Sequence, residues 1–195
     1  MTELNLQAFR QSTLLIGITG SLSVLGLPSY LVTFKQLFKE IKVIMTASAC
    51  QFIAPFSLRQ LCQVYSPEDN SNKEIVSHVE LARWAEIFIV LPATANTLGK
   101  ASQGIADNLL MLTILSYEKP ILFFPNMNSA IWNQKSVQRN IQQLSLDGHF
   151  VCPLNEQLAY EQASGEMKKN CVIASIELTL SYIFNVSQQG SNYHA

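Results

Sequence analysis

Leu14-Leu15-Ile16-Gly17-Ile18-Thr19-Gly20 is a short apolar run that stops in a glycine turn, the pattern of a buried strand. After the turn, Val24 to Lys39 carries apolar residues at helical spacing (Leu27, Leu31, Phe34, Leu37, Phe38), and Ile41-Lys42-Val43-Ile44-Met45-Thr46 resumes as a second strand. Strand, helix, strand is a βαβ unit, which predicts a parallel sheet with its ligand at the strand C-termini. Downstream, Ile87–Leu91 stopped by Pro92 and Ile121–Phe124 closed by Pro125 read as further buried strands, with Phe150-Val151 as a short one. Gly104 to Tyr117, Ser136 to Leu144 and Val172 to Phe184 read as helices. Ser66 to Lys73 reads as an exposed loop, and polar Pro153 to Asn170 as a long one. With no repeat and no linker, the expectation is one α/β domain over residues 1–195. It is a three-layer Rossmann-like (flavodoxin-like) fold around a central parallel sheet.

Composition narrows the function. Hydrophobic residues make up 48% of 195 and charged residues only 14%, so part of the apolar surface is expected to lie in a subunit interface. A formal net charge of −1 offers no footprint for nucleic acid or an anionic membrane. The first residues lack a basic signal-type region, and Leu14–Ile18 is too short to span a bilayer, which points to the cytoplasm. Cys50, Cys62, Cys152 and Cys171 show no metal-type spacing and read as reduced, mostly buried thiols. No metal site is expected.

Three strands run into turns of small or amide residues. Gly20, Ser21 and Ser23 open a helix, where backbone N–H groups and hydroxyls suit a phosphate; an ordinary serine N-cap explains them equally well. Gly17, Gly20 and Gly26 do not fit the dinucleotide fingerprint. Pro92-Ala93-Thr94-Ala95-Asn96-Thr97 lets backbone amides approach a flat ring and supplies edge donors and acceptors. Pro125-Asn126-Met127-Asn128, followed by Trp132, puts two asparagines where burial without a partner is costly.

These turns carry a resemblance. Pro92–Thr97 resembles the P-A-S-A-N-T motif of the homo-oligomeric flavin-containing cysteine decarboxylases, and Pro125–Trp132 resembles that family's P-x-M-N-x-x-M-W motif, with Ile131 in place of methionine. Ser77-His78-Val79-Glu80-Leu81-Ala82 is similar to its histidine segment, and the likeness runs from about Leu14 to Lys169. The branch most resembled is the epidermin- and mersacidin-type, which tailors lanthipeptides. The resemblance implies an enzyme that binds FMN (alternatively FAD) and oxidatively decarboxylates the C-terminal cysteine of a precursor peptide to an aminoenethiol. Assembly as a homotrimer or homododecamer is implied too.

By the same resemblance, His78 is the catalytic base, although a lone histidine at an apolar helix start is more often structural. Asn128 binds the substrate carboxylate. A neutral amide there avoids favouring the carboxylate over departing CO2. Gly20, Ser21, Ser23, Thr46, Ser48, Thr94, Ala95, Asn96, Thr97 and Asn126 are expected around the flavin. Met127, Gly165 and Glu166 are expected around the substrate. Asp107-Asn108 fits a family run as well, with capping or subunit contact an equal explanation. The loop at about 155–169 is expected to cover the substrate, with Gly165 as its hinge. Phosphopantothenoylcysteine decarboxylases are the nearest alternative. They reduce their enethiol with a loop cysteine, absent from Leu158–Lys169 here, and usually carry alanine at the Asn126 position. A flavin prenyltransferase does not need the asparagine-pair motif. A non-catalytic flavin-binding regulatory subunit would carry acidic extensions that this chain lacks.

Overall fold

The computed structural model describes residues 9–71, 77–161 and 165–190. Strands β1 (Thr13–Ile18), β2 (Glu40–Met45), β3 (Gln63–Tyr65), β4 (Ile87–Ala93), β5 (Leu122–Pro125) and β6 (Phe150–Val151) form one sheet in the order β3-β2-β1-β4-β5-β6. Every pairing in it is parallel. Helices α1 (Leu27–Leu37) and α9 (Ile176–Gly190) contribute to the core on one face. Helices α4 (His78–Trp84), α5 (Ala95–Ser102), α6 (Leu109–Ser116) and α8 (Lys135–Leu146) contribute to the core on the other. This is the expected three-layer Rossmann-like architecture.

The strands are apolar on both sides because both sides are covered. Leu14, Ile16 and Ile18 of β1 join Val43, Met45, Ile89 and Leu91 against Tyr30, Leu31 and Phe34. Leu15 joins Ile44, Phe88 and Val90 against Leu81, Leu98, Leu110 and Ile114. Gly17 lies on this second side, and a Cβ there would fall 2.5 Å from Leu110 Cδ1, so the missing side chain lets α6 lie close to the sheet. Phe34, Phe88, Phe123 and Phe124 are essentially solvent-free. Truncating such a residue to alanine costs roughly 3–5 kcal/mol, against about 1 for losing a helix cap, so stability resides in the two apolar layers.

Several boundaries differ from the sequence reading. The first helix is divided: Leu22–Gly26 is a 3-10 turn and α1 begins with Pro28 in its first turn. Strand β4 runs on through Pro92, whose Leu91–Pro92 bond is cis, to Ala93, and its ladder with β5 shifts register between Val90 and Ala93. The helix expected from Gly104 starts at Leu109, because Gly104 has φ of +65° and turns the chain out of α5. Asn108 then caps α6 by accepting from Met111 N at 3.1 Å, and an ion pair between Lys100 and Asp107 braces the intervening turn. Ser66 is buried, its N–H and hydroxyl both bonded to Asp69. Pro67–Ser71 is a 3-10 turn rather than open loop. Short β3 and the one-turn helices α2 (Ala47–Cys50) and α3 (Pro55–Arg59) carry too little periodicity to be read in advance.

The largest correction concerns residues 153–170. Asn155–Glu161 and Glu166–Val172 are strands β7 and β8, an antiparallel pair separate from the main sheet, not a loop. Main-chain pairing does not require apolar alternation, so the polar composition hid it. Val172 therefore ends a strand, and the last helix begins at Ile176, with Ser175 Oγ accepting from Leu178 N at 3.2 Å.

Candidate active site

Leaving β1, the chain fills one half of the sheet through β2 and β3, then returns to β4 beside β1 and fills the other half. The connections after β1 and β4 diverge, opening a crevice between their C-terminal ends. The turns that border it share one construction: a strand, a short polar cap, then a helix start. Ser21 accepts from Ser23 N, Thr46 from Ala49 N, Thr94 from Thr97 N, and Asn128 from Ile131 N at 2.8 Å, opening the one-turn α7 (Ser129–Trp132). Each cap places its hydroxyl or amide at a helix start, where backbone N–H groups are available.

Hydrogen bonds join these turns across the crevice. Thr19, 1% exposed, donates from Oγ1 to Pro92 O at 2.8 Å and accepts from Thr94 N at 3.0 Å. Asn126 N donates to Ala93 O at 2.9 Å. Its side-chain Oδ1 accepts from Ser23 Oγ at 2.9 Å and from Ser21 Oγ in a very short contact. Thr46 N donates to Ile18 O at 3.0 Å, and the hydroxyls of Thr46 and Ser48 lie 3.1 Å apart. Gly20 packs against this second turn so closely that a Cβ would lie 2.5 Å from Ser48 Cβ.

Gly20, Ser21, Ser23, Thr46, Ser48, Thr94–Thr97 and Asn126 are thus gathered on one rim, with Met127 half-buried and Asn128 exposed beside them. Sequence reading missed Thr19. Its signal is a hydroxyl directly after a five-residue buried run, a position that must find partners.

His78 arrives from the other side of the sheet order. Thr13 Oγ1 donates to Trp84 O at 2.8 Å, which ties the end of α4 to the start of β1. The start of α4 therefore lies toward the sheet edge that carries the turns. Ser77 caps it through Glu80 N, and His78 is half-buried. None of the hydrogen bonds joining the turns involves His78. Gly165, with φ of +71°, and Glu166 are exposed at the β7–β8 turn.

The rim holds no charged residue between 19 and 23, 46 and 49, 92 and 97, or 125 and 128. No group of three or more potential metal ligands occurs among the described residues. Burial pushes the Cys62 thiol up to about 11 and Cys152 to about 12, so both stay protonated near neutral pH and serve as packing. His149 is structural: Nδ1 accepts from Ile121 N at 3.3 Å, the ring stands edge-on to Phe123, and burial lowers its pKa. A neutral crevice rich in backbone donors, hydroxyls and amides fits a large planar heterocycle with a phosphate tail better than a metal or a polyanion. Among the described residues, no helix is long and apolar enough to cross a membrane.

Residues 4–178 match the Flavoprotein family. The chain is 43% identical over 167 residues to mersacidin decarboxylase of Bacillus sp. (strain HIL-Y85/54728), covering 86% of each chain. It is 32% identical over 172 residues to epidermin decarboxylase of Staphylococcus epidermidis, covering 88% of this chain and 94% of that one. Among solved structures, an EpiD variant complexed with its substrate peptide superposes with a TM-score of 0.84 at 30% identity, covering 90% of this chain and 99% of that one. The FMN-dependent cysteine decarboxylase SpaF gives 0.76 at 30% identity, covering 93% and 98%.

Proposed function

The chain belongs to the Flavoprotein family, and from that membership we propose that it removes CO2 oxidatively from the C-terminal cysteine of a precursor peptide, with FMN as its flavin. It is a flavin-dependent cysteine decarboxylase of the lanthipeptide-tailoring branch. The observation that carries the site is the charge-free rim between β1 and β4. There Gly20, Thr46, Ser48 and the amides of Thr94–Thr97 can hold the flavin, and Asn126 can meet its ring.

Bound flavin supplies a two-electron hydride acceptor. His78 takes the thiol proton as hydride leaves the cysteine Cβ, and the carbon–sulfur bond becomes a thioaldehyde C=S. That group lies β to the carboxylate and accepts the electron pair left when CO2 departs. Protonation then gives the aminoenethiol. Asn128 accepts Ile131 N–H at its Oδ1, which fixes its amide and leaves NH2 as the end that can donate to the carboxylate. The β7–β8 pair, through Gly165 and Glu166, covers the peptide end.

The test is direct. Flavin-loaded protein given a peptide ending in cysteine should return a product lighter by CO2 and two hydrogens, and a serine-ended control should be unchanged. No mass change with the flavin bound would overturn the reading. The cover predicts protection: peptide should slow proteolysis within residues 155–169. Unchanged cleavage at saturating peptide would remove the hairpin from substrate binding.

Assembly as a homotrimer, or a dodecamer of trimers, belongs to the same proposal. Leu22, Leu25, Phe52, Phe56 and Ile131 are exposed on segments that follow β1, β2 and β5, with Phe56 69% exposed. Apolar side chains of that size along one rim fit a second copy. Light scattering should give a mass divisible by three subunits, and an active monomer would refute this.

A further inference from the structure

Thr19 is buried, and its hydroxyl has two main-chain partners. Oγ1 donates to Pro92 O at 2.8 Å and accepts from Thr94 N at 3.0 Å. A carbonyl can only accept and a peptide N–H can only donate, so both directions are fixed. The two partners flank Ala93, whose own carbonyl accepts from Asn126 N on the β5 side. In a parallel ladder, one residue donates to the carbonyl before its opposite number and accepts from the N–H after it. Thr19 makes that pair of bonds with a side chain. It does so beyond Gly17 and Val90, the last residues that β1 and β4 set opposite each other.

A side chain in this role lets the two strands part while the end of β4 stays held. The main chain of β1 is committed to its other neighbour, through Ile18 O to Thr46 N and the close packing of Gly20 on Ser48. Thr94, held by its N–H, in turn caps α5 by accepting from Thr97 N at 3.4 Å. Resting on the flavin-binding reading above, we infer that Thr19 is a positioning residue for the flavin. Its hydroxyl replaces a missing ladder residue and fixes the turn after β4, and with it the start of α5 at Ala95 and Asn96, where the ring is to lie. Thr19 acts through Thr94, not by touching the flavin.

Thr19→Val keeps the branched shape and loses both bonds. Whole protein loaded with FMN is diluted well below its melting temperature, and release is followed as recovery of flavin fluorescence. Release from Thr19→Val should be roughly tenfold faster, about the worth of one neutral hydrogen bond. Amide exchange at Thr94 in the flavin-free protein should rise by at least about tenfold, with Phe88 to Val90 of β4 still protected. Thr19→Ser keeps the hydroxyl and should stay within about twofold of wild type in both measurements. Leu144→Ala is the stability control. Leu144 is buried at the β6 end of α8, where its carbonyl accepts from His149 N, so its truncation should lower the melting temperature and leave release unchanged. Should Thr19→Val not fold, Thr19→Cys, with a weakly bonding thiol of similar size, should release FMN at least about threefold faster.

Release from Thr19→Val within about twofold of wild type would overturn the inference, as would unchanged exchange at Thr94. Equal acceleration in Leu144→Ala would overturn it too, since the effect would then be one of general stability. In each of these cases wild-type protein still holds its flavin and the functional reading stands. A wild-type protein that takes up no flavin would overturn that reading and this inference together.

Discussion

His78→Asn should keep the flavin bound and the fold intact while turnover falls by at least about a hundredfold, the lower end of what a positioned acid–base group supplies. The position allows so clean a separation. His78 opens α4 directly behind its cap, and the cap bond is made by Ser77 to Glu80 N, not by the imidazole. The apolar anchors of α4 are Leu81 and Ala82, one turn further on. A half-buried residue with neither duty can be replaced at a cost of about 0.5 kcal/mol. The loss should therefore appear in the chemical step. Rapid mixing with a cysteine-ended peptide should show flavin bleaching slowed in the variant, at unchanged flavin content. Bleaching within a few-fold of the wild-type rate would take His78 out of the proton transfer.

Asn128→Asp is expected to abolish productive peptide binding without weakening the protein. Aspartate caps helices about as well as asparagine, so the bond from Ile131 N at 2.8 Å has an acceptor in either case. What changes is the other end of the side chain, where, in the role proposed for it, a donor becomes an anion facing the substrate carboxylate. Loss of a charge-assisted hydrogen bond alone is worth about 1.5–3 kcal/mol, and like-charge repulsion adds to it. A hundredfold or larger fall in kcat/KM is expected at neutral pH, with an unchanged melting temperature. Asn128→Ala is the informative contrast, since it loses the cap and the donor and should lower both. If the aspartate variant processes peptide normally, the carboxylate is held elsewhere.

The central architecture was legible because a parallel sheet covered on both faces demands uninterrupted apolar strands. Leu14–Ile18, Ile87–Leu91 and Ile121–Phe124 announced themselves this way. The rim was legible through its turn chemistry, in Thr94–Thr97 and Asn126–Asn128. Residues whose role depends on what lies across the crevice were harder to read. Thr19 spans from β1 to β4, a separation of 73 residues to Pro92 that no local pattern reports. Ser21 and Ser23 could be seen as polar but not as bonded to Asn126, more than a hundred positions on. The β7–β8 pair escaped for the opposite reason, since its order comes from main-chain bonds that leave no apolar signature.

Thr19, Pro92, Thr94, Ala93, Asn126, Ser21 and Ser23 are joined by hydrogen bonds that run from one turn to the next and back to the first. Every donor and acceptor in that circuit belongs to the protein itself. Holding one residue's backbone in place costs about 1–2 kcal/mol of entropy, and along this rim the cost falls when the chain folds rather than when a flavin arrives. The three turns then behave as one body, whose shape precedes its occupant. Under the proposed function, a flavin entering such a rim meets contacts already assembled, and its residence time, more than its rate of capture, becomes the quantity that substitutions on the rim adjust.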